Sequence, residues 1–160
     1  MENLDQAIGN AKRVLTAARD RQDQIVHFRH ETPGSADAPF AAGTNGTDII
    51  AAMAPVDGET ILSKHYPNSF RDTGLKDILE KAGVTDVVIV GAMSHMCIDA
   101  TARAAFDFGY GVTVVGDACA TRALASDGVD VPAQQVHAAF MAALAFAYAE
   151  VVPTSVLLAD

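Results

Sequence analysis

Two cysteines, Cys97 and Cys119, and five histidines are the side chains of this 160-residue chain with the widest chemical scope. Cys97 is set apart by its address. Asp86 is followed by Val87-Val88-Ile89-Val90, four β-formers without polar alternation, the pattern of a strand buried on both faces of a parallel sheet. Gly91 breaks the run. From about Met96 onward Asp99, Arg103 and Asp107 recur every four residues while Ile98, Ala102 and Ala105 fall on another side, the period of a helix. Cys97 therefore lies where a strand hands over to a helix. A helix N-terminus presents unpaired N–H groups and a partial positive charge, which favour thiolate over thiol. The same N–H groups could hold an oxygen that becomes negative when a carbonyl is attacked. Ligands bind at such strand ends in open α/β sheets. A free cysteine is also a small buried hydrophobe in many proteins, and the chemistry of the turn leaves both readings open.

The elements around this turn alternate. Asn3 or Asp5 is expected to cap a first helix whose apolar face is Ala7, Ala11, Val14, Leu15 and Ala18, with Asn10, Arg13 and Asp20 outside. Residues 24–29 read as a strand through Ile25, Val26 and Phe28, with His27 and His30 as polar residues at its end. Between Glu31 and Glu59 the pattern dissolves into Pro33-Gly34, Gly43, Asn45-Gly46 and Pro55, with a short helical piece over 47–53. A connection of that length is read as a lid or binding loop, with Phe40 as a pocket-facing aromatic, against the plainer reading of a surface excursion. A strand over 59–64 follows, then a helix capped by Thr73, striped by Leu75, Ile78, Leu79 and Ala82, and ended by Gly83. Beyond Cys97, Val112 to Val115 form another apolar strand. Asp117 is read as organising the next loop by accepting backbone hydrogen bonds, and Cys119 as an inert buried thiol. A turn-rich link over 126–131 leads through Pro132 into a long helix with Val136, Ala139, Phe140, Ala143, Leu144 and Ala147 as its stripe. A last strand within 150–158, interrupted by Pro153, belongs at a sheet edge.

Composition narrows the function classes. With half its residues hydrophobic, the chain suits a single domain over 1–160. A formal charge of −9 and a pI near 4.8 argue against nucleic acid or an anionic membrane as partner. The polar N-terminus is no signal peptide and the longest apolar run is too short to span a bilayer, so a cytoplasmic protein with reduced thiols is expected. No Cys/His spacing suggests zinc, no metal is assigned, and no cofactor is expected. Gly109 and Gly111 precede a strand rather than join one to a helix, which sets aside a nucleotide- or flavin-binding domain.

The run Gly91-Ala92-Met93-Ser94-His95-Met96-Cys97-Ile98, with Asp99 to Ala105 behind it and Gly109-Tyr110 closing the helix, resembles the nucleophile motif of the isochorismatase-like cysteine hydrolases. The resemblance covers nearly the whole chain and implies a doubly wound parallel sheet in a three-layer α/β/α arrangement. It implies a cis Ala92–Met93 peptide bond and an oxyanion hole formed by the backbone N–H groups of Met93 and Cys97. Lys64, at a strand end six residues before Phe70, is similar to the family's catalytic lysine, which holds charge near the thiolate. Phe40, Phe70 and His95 are the candidate substrate contacts, and a homo-oligomer is expected.

The chain departs from the family at its start. Family members open with an apolar strand ending in the aspartate that completes an Asp-Lys-Cys triad as general acid/base, and neither Glu2 nor Asp5 matches it. In the family's strand order that strand lies mid-sheet, between the strands at Ile25 and Val87. Three outcomes are open: those strands close on each other, another chain fills the gap, or the sequence is N-terminally truncated, which is favoured. The expected activity is cleavage of an amide or related bond of a small molecule through a Cys97 thioester. The alternative is a catalytically impaired oligomeric or small-molecule-binding scaffold.

Overall fold

The computed structural model describes residues 1–34 and 40–159; the segment 35–39 of the expected long loop lies outside the described residues. Helix α1 (Leu4–Arg21) leads to strand β1 (Val26–His30), and β2 (Thr60–Lys64) follows the irregular connection. Helix α2 (Leu75–Lys81), strand β3 (Asp86–Ala92), helix α3 (Asp99–Asp107) and the long strand β4 (Gly111–Ala120) come next. A hairpin of β5 (Leu124–Ser126) and β6 (Val129–Val131) precedes α4 (Ala133–Ala147), β7 (Glu150–Val152) and the short α5 (Thr154–Leu157).

β1 and β2 pair in parallel, with His30 opposite Lys64. β3, β4 and β7 form a second parallel sheet with β4 in the centre. Parallel neighbours need crossover connections, and here the helices supply them on both faces. On one face Ala11 and Val14 of α1 meet Val115 and Ala118 of β4. On the other, Leu75 and Leu79 of α2 and Ala102 and Ala105 of α3 pack with Val112 and Val114. Val26 and Phe28 join the same core as Val87 and Ile89, so both sheets share it. The α/β/α arrangement is as the resemblance implies.

No strand pair joins the two sheets among the described residues, and β1 and β3 each keep an unpaired edge. This corrects the expectation that Val87 to Val90 are buried on both faces: Val88 is 48 % exposed. An apolar run is buried only when neighbours flank it, and β3 has one neighbour. Arg29 Nε, on β1, is buried without a hydrogen-bond partner among the described residues.

Other elements differ in detail. Asn3 caps α1 only by position, in a left-handed backbone conformation and without a side-chain hydrogen bond. Asn10 faces inward, donating from Nδ2 to the Asp117 carbonyl at 3.0 Å. The link over 126–131 is a hairpin whose turn, Asp127-Gly128, has positive φ at both residues, and Asp-Gly is the dipeptide that announces such a turn. On α4 the buried residues are Ala133, Val136, Met141 and Leu144, whereas Ala139, Ala143 and Ala147 face solvent. Phe146, beside them, is 91 % exposed. Asp117 holds structure as expected, but at α5: its Oδ1 accepts the Thr154 N–H at 2.7 Å and the Thr154 hydroxyl at 2.6 Å. Burial pushes the Cys119 thiol up to about 12, in line with an inert role.

Glu59 fastens α1 to the start of β2. Its carboxylate, 8 % exposed, accepts Arg19 Nε at 2.7 Å, Arg19 Nη2 at 2.9 Å, the Val56 N–H at 3.0 Å and lies 2.8 Å from His27 Nε2. The Arg19 hydrogen bond is the main cause that lowers its pKa to about 2 from 4.5. Since the folded value lies below the unfolded one, this stabilisation is present in full above pH 4.5 and is lost as pH falls through about 2. Glu59→Gln should lower unfolding free energy at pH 7 by about 2 kcal/mol, the scale of a charged hydrogen bond. In urea melts the gap between the two proteins should shrink below pH 4.5; a gap independent of pH would rule out the carboxylate's charge as its source.

Candidate active site

The site stands at the carboxyl ends of β1, β2 and β3. β3 continues through Gly91, whose φ is 134°, a backbone conformation that favours glycine, and its register against β4 shifts between Ile89 and Gly91. The Ala92–Met93 peptide bond that follows is cis. Residues Ser94–Ile98 then form a widened, π-type helical turn running into α3, with the N–H groups of Met96 and Ile98 both directed at the Met93 carbonyl, at 3.0 and 3.3 Å. Cys97 is thus held within the first turn of the helical run rather than at its very start, and its side chain is half-buried.

Lys64 is the last residue of β2 and is 4 % exposed. Buried lysines need partners, and this one has them. Nζ donates to the carbonyls of Tyr66 at 2.9 Å and Pro67 at 3.0 Å and lies 3.1 Å from Cys97 Sγ. An ammonium has three protons. Two go to carbonyls and the third is aimed at sulfur. His30 Nδ1 sits 3.4 Å from the same nitrogen, a contact that follows from the His30–Lys64 register. Burial first, then the charges of Lys64 and His65, lower the His30 imidazole below its ordinary value, which keeps it neutral beside the ammonium at neutral pH. The loop after β2 is pinned to α3, since the Ser69 N–H donates to Thr101 Oγ1 at 3.0 Å.

The structure brings Cys97 and Lys64 together across 33 residues of sequence. It also brings Phe40 to the site's rim: its ring meets His30 edge-on with centroids 5.6 Å apart. Phe70 departs from expectation. Its ring is buried in the core against Phe108 and Tyr110, so it supports the loop and offers no face to a small molecule. His95 turns from Lys64 toward β4 and α4, with Nδ1 2.5 Å from Thr121 Oγ1 and its ring edge-on to Phe140. Burial, with Arg122 nearby, lowers its pKa. Sequence reasoning misses His30, which reads as a strand-end polar residue and is revealed by the register of β1 on β2, and it misses the Tyr66 and Pro67 carbonyls, which the loop after β2 brings back onto Lys64 Nζ. Among the described residues no carboxylate pairs with Lys64, and no cluster of three or more His, Cys, Asp or Glu side chains is placed to hold a metal ion. No helix among them is long and apolar enough to cross a membrane.

Fold and site together define an α/β protein with a cysteine–lysine pair at its strand ends. The model of the isochorismatase domain matches residues 1–155. The isochorismatase family protein YddQ of Bacillus subtilis is 42 % identical over 158 residues, covering 99 % of this chain and 88 % of YddQ. The maleamate amidohydrolase of Pseudomonas putida is 33 % identical over 129 residues, covering 72 % of this chain and 61 % of the relative. A crystal structure from Oleispira antarctica, described as an isochorismatase hydrolase, superposes with a TM-score of 0.95 at 46 % identity, covering 100 % of this chain and 84 % of that one. The chain belongs to the isochorismatase family of hydrolases.

Proposed function

We propose that the protein hydrolyses an amide or related bond of a small molecule through Cys97. The Lys64 ammonium, 3.1 Å from the sulfur, is the observation that carries this reading, because it is a buried positive charge whose remaining proton points at a thiol. In the first step the Cys97 sulfur bonds to the carbonyl carbon and the C=O electron pair moves to oxygen, where the N–H groups of Met93 and Cys97 receive it. The pair then returns, the C–N bond breaks, and the amine leaves carrying the proton that the Cys97 thiol gave up. Water attacks the resulting thioester, forming a C–O bond and breaking C–S, so that the carboxylic acid leaves and the second water proton returns to the Cys97 sulfur. The maleamate amidohydrolase relative supports a C–N bond as target. Phe40 and His30 face the rim where a substrate would enter.

In the family pattern the proton for the amine comes from an aspartate ending a strand before the first helix. The unpaired edges of β1 and β3 suit a strand between them. The same unpaired edges favour a second reading, an impaired scaffold that binds without turning over. A panel of primary amides decides between them. The hydrolase reading expects turnover that Cys97→Ala lowers about 10⁴-fold or more, as loss of a nucleophile does. Turnover unchanged by Cys97→Ala would overturn it, and binding without turnover would favour the scaffold.

A further inference from the structure

We propose that Ser94 and His137 are positioning residues: the contact between Ser94 Oγ and His137 Nδ1 lets α4 hold the turn that carries Cys97 in its reactive geometry. The proposal rests on the reading of Cys97 as nucleophile.

Ser94 opens the turn three residues before Cys97 and is 0 % exposed. A hydroxyl taken wholly out of water needs partners. It has two, His137 Nδ1 at 2.8 Å and the Ala120 carbonyl at 3.3 Å, from elements that follow it by 43 and 26 residues. One side chain thus joins the cysteine turn to the end of β4 and the start of α4. The neighbouring His95 makes a parallel tie to Thr121 and Phe140. On the opposite side Lys64 meets the sulfur. The turn is therefore gripped from two sides, and among the described residues the Ser94 grip is the one that reaches α4 by a hydrogen bond.

His137 occupies the helix face that Ala133, Val136 and Met141 bury, where an apolar residue would pack as well. Its imidazole is explained by the buried hydroxyl it meets. The rest of the ring borders a cavity also lined by Asn3, Gln6, Asp117 and Gln134, so the ring has room to be replaced by a smaller amide. Burial lowers the His137 pKa, which keeps the ring neutral at neutral pH. A mobile turn would let the sulfur drift from the Lys64 ammonium and from the Met93 and Cys97 N–H groups. Misplacement by ~1 Å costs a reacting pair about 10²-fold.

The test is iodoacetamide alkylation of Cys97 read by peptide mass spectrometry, with amide turnover, in the full chain and in Ser94→Ala, His137→Phe, His137→Asn and His137→Gln. An asparagine amide falls where Nδ1 was and can donate or accept; a glutamine amide reaches the Nε2 position. Ser94→Ala and His137→Phe should slow Cys97 alkylation about tenfold and lower kcat by about 10- to 100-fold at unchanged KM. His137→Asn should recover most of both, and His137→Gln should not. The urea midpoint of each variant is the control for opening of the whole fold, because Cys119, although buried, lines the same cavity as His137. Fast alkylation of Cys97 that His137→Phe leaves untouched, or rescue by Gln as good as by Asn, overturns the proposal. If the unmutated Cys97 reacts no faster than a model thiol, the nucleophile reading itself has failed, which is a separate result. Should His137→Phe unfold, the Asn and Gln pair still decides.

Discussion

Lys64→Met is expected to lower amide turnover by about 10²- to 10⁴-fold while the protein stays folded. The size follows from where the charge sits. Lys64 Nζ is out of water and 3.1 Å from Cys97 Sγ, so its attraction for a thiolate is screened little. A charge-assisted hydrogen bond of this kind contributes about 1.5–3 kcal/mol, and the substitution removes it from the attacking sulfur.

Stability should change far less. The substitution leaves the Tyr66 and Pro67 carbonyls without their donor, but it also removes a buried charge, and the two changes oppose each other. Lys64→Arg should not rescue, since a planar guanidinium does not fit a pocket shaped by two carbonyls and one sulfur. A Lys64→Met protein that folds, alkylates and turns over within threefold of the parent would remove lysine from the mechanism.

The second large effect is a gain. An apolar strand ending in aspartate, joined by a short loop ahead of Met1, should raise turnover by about 10²- to 10⁴-fold, the usual worth of a positioned general acid. The path is short. The Glu2 N–H donates to the Thr121 carbonyl at 3.0 Å, which places the start of the chain beside the end of β4, on the side of the sheet where β1, β2 and β3 also end. A strand preceding it would run parallel to β1 and β3 and deliver its last residue near Lys64. It would also cover Val88 and give both open edges their hydrogen-bond partners. Covering the exposed half of Val88 contributes roughly 1 kcal/mol, so the urea midpoint should rise as well. The same strand ending in asparagine separates the two roles: it should stabilise equally and leave the rate unchanged. If aspartate and asparagine accelerate alike, the acid is not what the strand supplies. If neither stabilises, the edges do not take a strand.

The cysteine turn is legible in the sequence because its signals are local. Gly91 after four β-formers and the four-residue recurrence from Asp99 to Asp107 depend on neighbours a few residues away. The buried lysine is legible by resemblance alone, for a lysine at a strand end carries no mark of what it will meet. His30 escapes for the same reason: its role comes from lying opposite Lys64 in the pairing of β1 with β2. Phe70 and Phe40 show the limit from the other side. Both are phenylalanines in loops after strands, and packing against Phe108 and Tyr110 sends one into the core while contact with His30 keeps the other at the rim.

By itself the sequence determined the order of helices and strands, the parallel character of the sheet and the address of Cys97, since periodicity and turn chemistry act over one or two turns of chain. Tertiary structure alone decided that His30 lies beside the Lys64 ammonium, that a histidine 43 residues downstream of Ser94 bonds to the turn, and that Val88 lies open. Those outcomes depend on which strands pair and which faces meet, and both are settled by the whole chain's burial of its apolar surface rather than by any segment's own preference.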